Sequence, residues 1–196
     1  HFQRPVVRNA YPPRHVHASL PLLHRYLGIR QRLLGLTDLH YYDFYPDMVK
    51  GVEVKFSFAE GCEIMKKALS VLGSEYVGKL DEGFKNRWID VYPSPGKNSG
   101  AYCDGSYDTH PFVKLNYNDR FPDLSMMAHE LGHALHSYFS NKTQPYADSN
   151  YSSFVAEIAA TTNEALVIDY VIRSIKDPKT KLALLGGWLE QFRTTL

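Results

Sequence analysis

The chain has 196 residues, with 22 basic and 21 acidic side chains and a formal net charge of +1. That length suffices for one sizeable domain with a buried core, and the balanced charge argues against a nucleic-acid or anionic-membrane partner. No apolar run approaches the roughly 20 residues of a membrane span, and the N-terminus lacks a charged-then-apolar leader; Cys62 and Cys103, far apart and without a C-x-x-C pair, read as free thiols of a reducing, cytoplasmic compartment.

Residues 1–17 carry Pro5, Pro12 and Pro13 among scattered His and Arg, and read as an irregular arm. Ser19 to Leu36 is amphipathic: Leu20, Leu23, Leu27, Leu33 and Leu34 alternate with His24, Arg25, Arg30 and Arg32, and Gly35 can end a helix. Val52 to Phe58 alternates strictly and predicts a short strand or extended arm. Helices are expected from Ala59 to Leu72, stopped by Gly73, and from Glu75 to Trp88, so residues 18–90 form a mainly helical region. Ile89 to Tyr92 is extended, and Pro93, Pro95, Gly96 and Gly100 mark a loop. Two strands, Ala101–Tyr107 and Pro111–Tyr117, are expected to join through Asp108-Thr109-His110. A helix over Leu124–Phe139 follows, then a polar loop, a long and mostly buried helix from Phe154 to about Ile175, and a last helix over Lys181–Phe192. Residues 91–196 thus place a small sheet directly before a central helix.

That central helix carries His129-Glu130-Leu131-Gly132-His133, an H-E-x-x-H motif inside an apolar run. Residues four apart share a helix face. Two imidazoles so placed can grip one Zn²⁺, and the Glu between them can reach a water that the ion activates. The plain alternative is a helix whose two histidines merely pack or face solvent. Pro122 suits the helix start, with Asp123 and Ser125 as N-cap candidates. Gly132 costs the helix roughly 1 kcal/mol relative to Ala, which points to close approach by a neighbouring backbone.

Two histidines leave a zinc site incomplete. His136 is set aside, because His129 and His136 stand about 10 Å apart along the axis; it reads as a packed or supporting histidine. The next helix offers Glu157 and Glu164, seven apart and on one face. A carboxylate among Val, Ala and Ile is expensive to bury unpaired, and a cation would offset that, so Glu157 is the candidate third ligand. A surface carboxylate or an ordinary salt bridge is the alternative. Glu164 suits a supporting role, accepting a ring N–H from a ligand histidine. The sheet before the helix can offer a strand edge to an extended peptide, and Gly100-Ala101-Tyr102 suits close backbone approach; an ordinary hairpin capping the core fits the same pattern.

His129 to Tyr138, Thr143-Gln144-Pro145-Tyr146, Phe154 to Ala159 and Thr162 to Leu166 together resemble oligoendopeptidase F, of the thimet-oligopeptidase-like (M3) zinc peptidases. Arg87 to Tyr92, Ser99 to Tyr102 and Gly105 to Thr109 are similar too, so the resemblance runs from about Ser19 onward. It implies an α+β, mostly helical fold with a zincin-type (gluzincin-like) core. It implies an endopeptidase acting on short oligopeptides, with one Zn²⁺ held by His129, His133 and Glu157, Glu130 as general base, Glu164 beside the ligands and Gly100, Ala101 and Tyr102 at the substrate. Residues 1–17 do not resemble the family. The chain is shorter than family members, so it is expected to be an incomplete catalytic core, weakly active alone, whose partners include the missing N- and C-terminal parts of a longer enzyme. Competing expectations are a carboxypeptidase with the same ligand set and a non-catalytic zinc-binding fragment.

Overall fold

In a computed structural model of the chain, residues 13–195 are described, with side chains for 18–190. The fold is mostly helical with one small three-stranded sheet. It divides into two compact units, residues 53–178 and, apart from them, the segments up to Val52 and from Lys179. Among the described residues, no helix is long and apolar enough to cross a membrane.

Helix α1 spans Pro13–Leu34, so residues 13–17 of the expected irregular arm are helical. Pro13, expected to break a helix, lies within the bounds of this one. The rest of the arm, residues 1–12, lies outside the described residues. In the same unit Arg30 is buried, and its charge is satisfied: Nε donates to the Asp43 carbonyl at 2.9 Å, Nη2 to that of Pro46 at 2.6 Å, and Nη1 lies 3.6 Å from Glu190.

In the unit 53–178, the segment ahead of α2, where a short strand or extended arm was expected, forms no regular strand but an isolated antiparallel bridge from Lys55 to Arg120. Helix α2 spans Phe58–Ala68 and is started by a reciprocal cap: Ser57 Oγ accepts from the Glu60 N–H, and the Glu60 carboxylate accepts from the Ser57 N–H at 2.8 Å. A 3₁₀ turn over Leu69–Leu72 ends at Gly73, whose φ of +99° suits glycine, and α3 spans Ser74–Lys85. Strands β1 (Ile89–Asp90), β2 (Tyr102–Asp104) and β3 (Phe112–Lys114) follow. β3 is central, parallel to β1 and antiparallel to β2, with Cys103 opposite Val113. β2 is therefore an edge strand.

Helices α4 (Phe121–Thr143) and α5 (Ser153–Ser174) form the scaffold of the site. Contacts pair Ser125 with Glu164, Ala128 with Asn163 and Gly132 with Ala160, so the helices run antiparallel. Leu124, Met127, Ala128, Leu131, Ala134 and Leu135 repeat at helical spacing on the buried face of α4; Ala160, Val167, Ile168 and Val171 are buried on α5. At the closest approach, a Cβ on Gly132 would come within 2.6 Å of Ala160 Cα. Gly132 is thus the backbone-contact position its sequence suggested.

Two expectations are corrected. Asp123 and Ser125 do not cap α4; Arg120 does, while Asp123 at the third position accepts from the N–H groups of Arg120 and Asn118, both at 3.0 Å. A capping-box acid sits three residues inside the cap, which is where Asp123 falls. The first half of α5 is also not buried: Phe154, Val155 and Ile158 are exposed. Apolar composition predicts a helix here, but burial depends on which face a neighbouring element covers.

Candidate metal centre

His129 and His133 stand one turn apart on α4, their rings edge to face with centroids 4.8 Å apart. Glu157 reaches them from α5. Its carboxylate oxygens lie 3.4 Å from His129 Nε2 and 3.8 Å from His133 Nε2. One donor atom from each of the three residues falls within 4.8 Å of the others. Two imidazoles and one carboxylate, converging from two helices, are a group that could hold a metal ion. Glu157 is 56% exposed, so the sequence argument from burying its charge does not hold; the position on α5 carries it to the histidines.

Glu164 lies behind His129. Its Oε2 is 3.4 Å from His129 Nδ1, and its Oε1 accepts a short hydrogen bond from the Ser125 hydroxyl. This leaves Nε2 of His129 facing Glu157, which fixes the ring's orientation. Ser125 was not singled out as a site residue from sequence. It precedes His129 by four positions on the same face, a signal that becomes readable only once α5 is known to pack there. Asn163 was missed too: buried, it donates to the Ala128 carbonyl at 3.3 Å and accepts from Tyr76 at 2.8 Å, locking α5 to α4 and α3.

The electrostatics divide the residues. The Glu164 carboxylate holds the His129 pKa above the usual imidazole value, despite burial acting the other way. Burial, with His129 nearby, pushes His133 down. Burial and the Glu157 charge raise the carboxyl pKa of Glu130, with His129 opposing them. Glu130 is 6% exposed beside the histidine pair. His136 stays out of the group; its ring stacks on Tyr151 with centroids 3.8 Å apart.

Gly100, Ala101 and Tyr102 lead into β2. Gly100 turns the chain with φ of +79°, and its carbonyl accepts from Asn116 at 2.8 Å. Tyr102 is exposed, with Lys114 Nζ 5.2 Å from its ring centre. α4 packs against β2, so this edge runs beside the helix that bears the two histidines.

A mostly helical chain with a small sheet and a His-His-Glu group on paired helices defines a zincin-like core. The profile of peptidase family M3 matches residues 14–196. Oligopeptidase PepF of Bacillus subtilis is 44% identical over 181 residues, 92% of this chain and 27% of its own length. An oligoendopeptidase F homolog of Lactococcus lactis is 44% identical over the same share of this chain and 30% of its own. A crystal structure from Chlamydophila abortus, assigned as a peptidase, is 41% identical with a TM-score of 0.80, covering 90% of this chain and 29% of that one. The chain belongs to peptidase family M3. It spans under a third of the length of the curated relatives it matches.

Proposed function

We propose that the chain carries the catalytic centre of a zinc-dependent endopeptidase that hydrolyses short oligopeptides. The single observation that carries this reading is the convergence of His129, His133 and Glu157 within 4.8 Å, with buried Glu130 on the same helix. In it, His129, His133 and Glu157 hold one zinc ion, whose donor preference they match. Zinc, when bound, supplies Lewis acidity toward the scissile carbonyl and lowers the pKa of a neighbouring water toward neutrality.

The remaining work falls to the chain's own groups. Glu130 accepts the proton of the attacking water and returns it to the leaving amine. Glu164, held by Ser125, fixes His129 so that Nε2 stays available. The edge at Gly100, Ala101 and Tyr102 supports the peptide backbone in extended form. Glu157 and the apolar face beside it at Phe154 and Ile158 stand open to water. Electrostatic stabilisation of the reacting carbonyl is weakened by such exposure, so slow turnover is proposed for these 196 residues alone.

The test is a purified protein assayed for bound zinc and for cleavage of an internally quenched peptide. One zinc per chain and chelator-sensitive cleavage are expected. Mass-spectrometric mapping should find internal cuts; stepwise loss of C-terminal residues would favour a carboxypeptidase instead. Glu130→Gln should abolish cleavage while leaving zinc and fold intact. If the chain takes up no zinc, the proposal fails.

A further inference from the structure

Two cavities lie along α4, one at each side of the His129–His133 pair. The first, of about 220 Å³, lies before it: Met126, Pro122, Leu115 and Ala101 give it an apolar wall. The second, of about 460 Å³, lies beyond it: Asp104, Tyr107, Ser137, Tyr146, Ser149 and Tyr151 line it with hydroxyls, ring faces and one carboxylate. Neither lining contains Lys, Arg or His. Both also take in the β2 segment, Ala101 at one end and Asp104 at the other. Each lining holds one carboxylate: Asp123 in the smaller, taken up by the N–H groups of Asn118 and Arg120, and Asp104 in the larger. An edge strand beside α4 therefore links a mainly apolar recess to a polar one.

The spacing sets a scale. Met126 and Ser137 are eleven positions apart on one helix, about 16 Å at 1.5 Å per residue. An extended peptide advances about 3.3 Å per residue, so it crosses that distance in four to six residues. The smaller cavity suits one aliphatic side chain, by the burial of apolar surface against Met126 and Leu115. The larger one offers a carboxylate and the tyrosine pair Tyr107–Tyr146, whose rings meet edge to face at 5.5 Å. Aromatic faces and a carboxylate together favour a cation. Tyr146 is 74% exposed at the rim, where an arriving side chain would meet it.

We infer that a peptide lying along β2 is read at two points, an apolar side chain in the smaller cavity and a cationic one, Lys or Arg, in the larger, four to six residues apart and on opposite sides of the bond that is cut. This rests on the peptidase reading for the position of that bond, but the two recesses can be tested without cleavage.

The experiment measures anisotropy of fluorescein-labelled ten-residue peptides on the Glu130→Gln protein, with chelator-treated wild-type protein as a second form that does not cut. Peptides carry one Leu and one Lys on a Ser/Ala background, in both orders, five or two positions apart. One order at the five-residue spacing should bind about tenfold more tightly than the other three. Exchanging Lys for Glu in that peptide should remove the advantage. Asp104→Asn and Tyr146→Ala should each erase the Lys preference and spare the Leu preference; Met126→Gln should do the reverse. Affinity independent of spacing and order, or a Lys preference that survives both polar-cavity substitutions, overturns the inference. Selective binding by a protein that never hydrolyses peptide upholds the two recesses while sinking the endopeptidase proposal. Hydrolysis without selectivity does the opposite.

Discussion

Replacing Gly132 with alanine adds one methyl group at the closest approach of α4 and α5. Its Cβ would meet Ala160 Cα at 2.6 Å, the Ala159 carbonyl oxygen at 2.9 Å and Ala160 N at 3.0 Å. All three are backbone atoms, so no side chain can swing away. Restoring ordinary carbon contacts of about 3.6 Å requires α5 to retreat by about 1 Å. Overpacking of this kind costs about 3 kcal/mol at the upper end, and the better helix propensity of Ala returns about 1 kcal/mol. The net loss of about 2 kcal/mol corresponds to a Tm lower by about 4–8 °C for a chain of this size. Glu157 sits about one turn from Ala160, so the same retreat draws its carboxylate from the histidines and should weaken metal binding about tenfold or more. Gly78 is the control, with no atom within 4 Å of its would-be Cβ; Gly78→Ala in α3 should be neutral or stabilising by up to about 1 kcal/mol. Thermal melts and a competition titration with a zinc indicator read both effects. A Gly132→Ala protein with unchanged Tm and unchanged metal affinity would refute the packing argument.

Three further outcomes are expected. Glu164→Gln should lower metal affinity about 10–100-fold with a smaller effect on Tm, read by the same titration; an unchanged affinity would remove Glu164 from the site. His136 Nδ1 is buried without a hydrogen-bond partner, so His136→Phe, which keeps the stack on Tyr151, should be neutral or stabilising by about 1 kcal/mol with metal stoichiometry unchanged; loss of metal would restore His136 as a ligand. Burial pushes the thiol pKa of Cys62 up to about 11 and, with Glu130 adding to it, that of Cys103 up to about 12. Both thiols should therefore react slowly with a disulfide reagent at pH 8 in native protein and quickly once unfolded. A folded pKa above the unfolded value of about 8.5 stabilises the native state fully below that value and less as pH rises toward 11–12. Urea midpoints should fall between pH 8 and pH 10.5, and rapid native-state labelling would contradict the burial.

The fold and much of the site can be read from local pattern. The H-E-x-x-H spacing places two rings on one face because a helix repeats every 3.6 residues, and Glu157 and Glu164 share a face of α5 for the same reason. Gly73 and Gly132 mark a stop and a contact because a missing side chain has few other uses there. What pattern does not reveal is which face meets which. Ser125 becomes a partner of Glu164 only through the antiparallel register of α5 on α4. Phe154 and Ile158 look like core residues by composition but stand exposed.

The openness of the donor group has a kinetic consequence. The seam that joins α4 to α5, through Leu131, Ala160 and Val167, is buried, while His129, His133 and Glu157 retain 23, 18 and 56% of their side-chain exposure. An ion can reach its donors from solvent without parting the helices. Loading should then proceed at a rate proportional to free metal concentration, independent of mild denaturant, and bound metal should add stability by mass action.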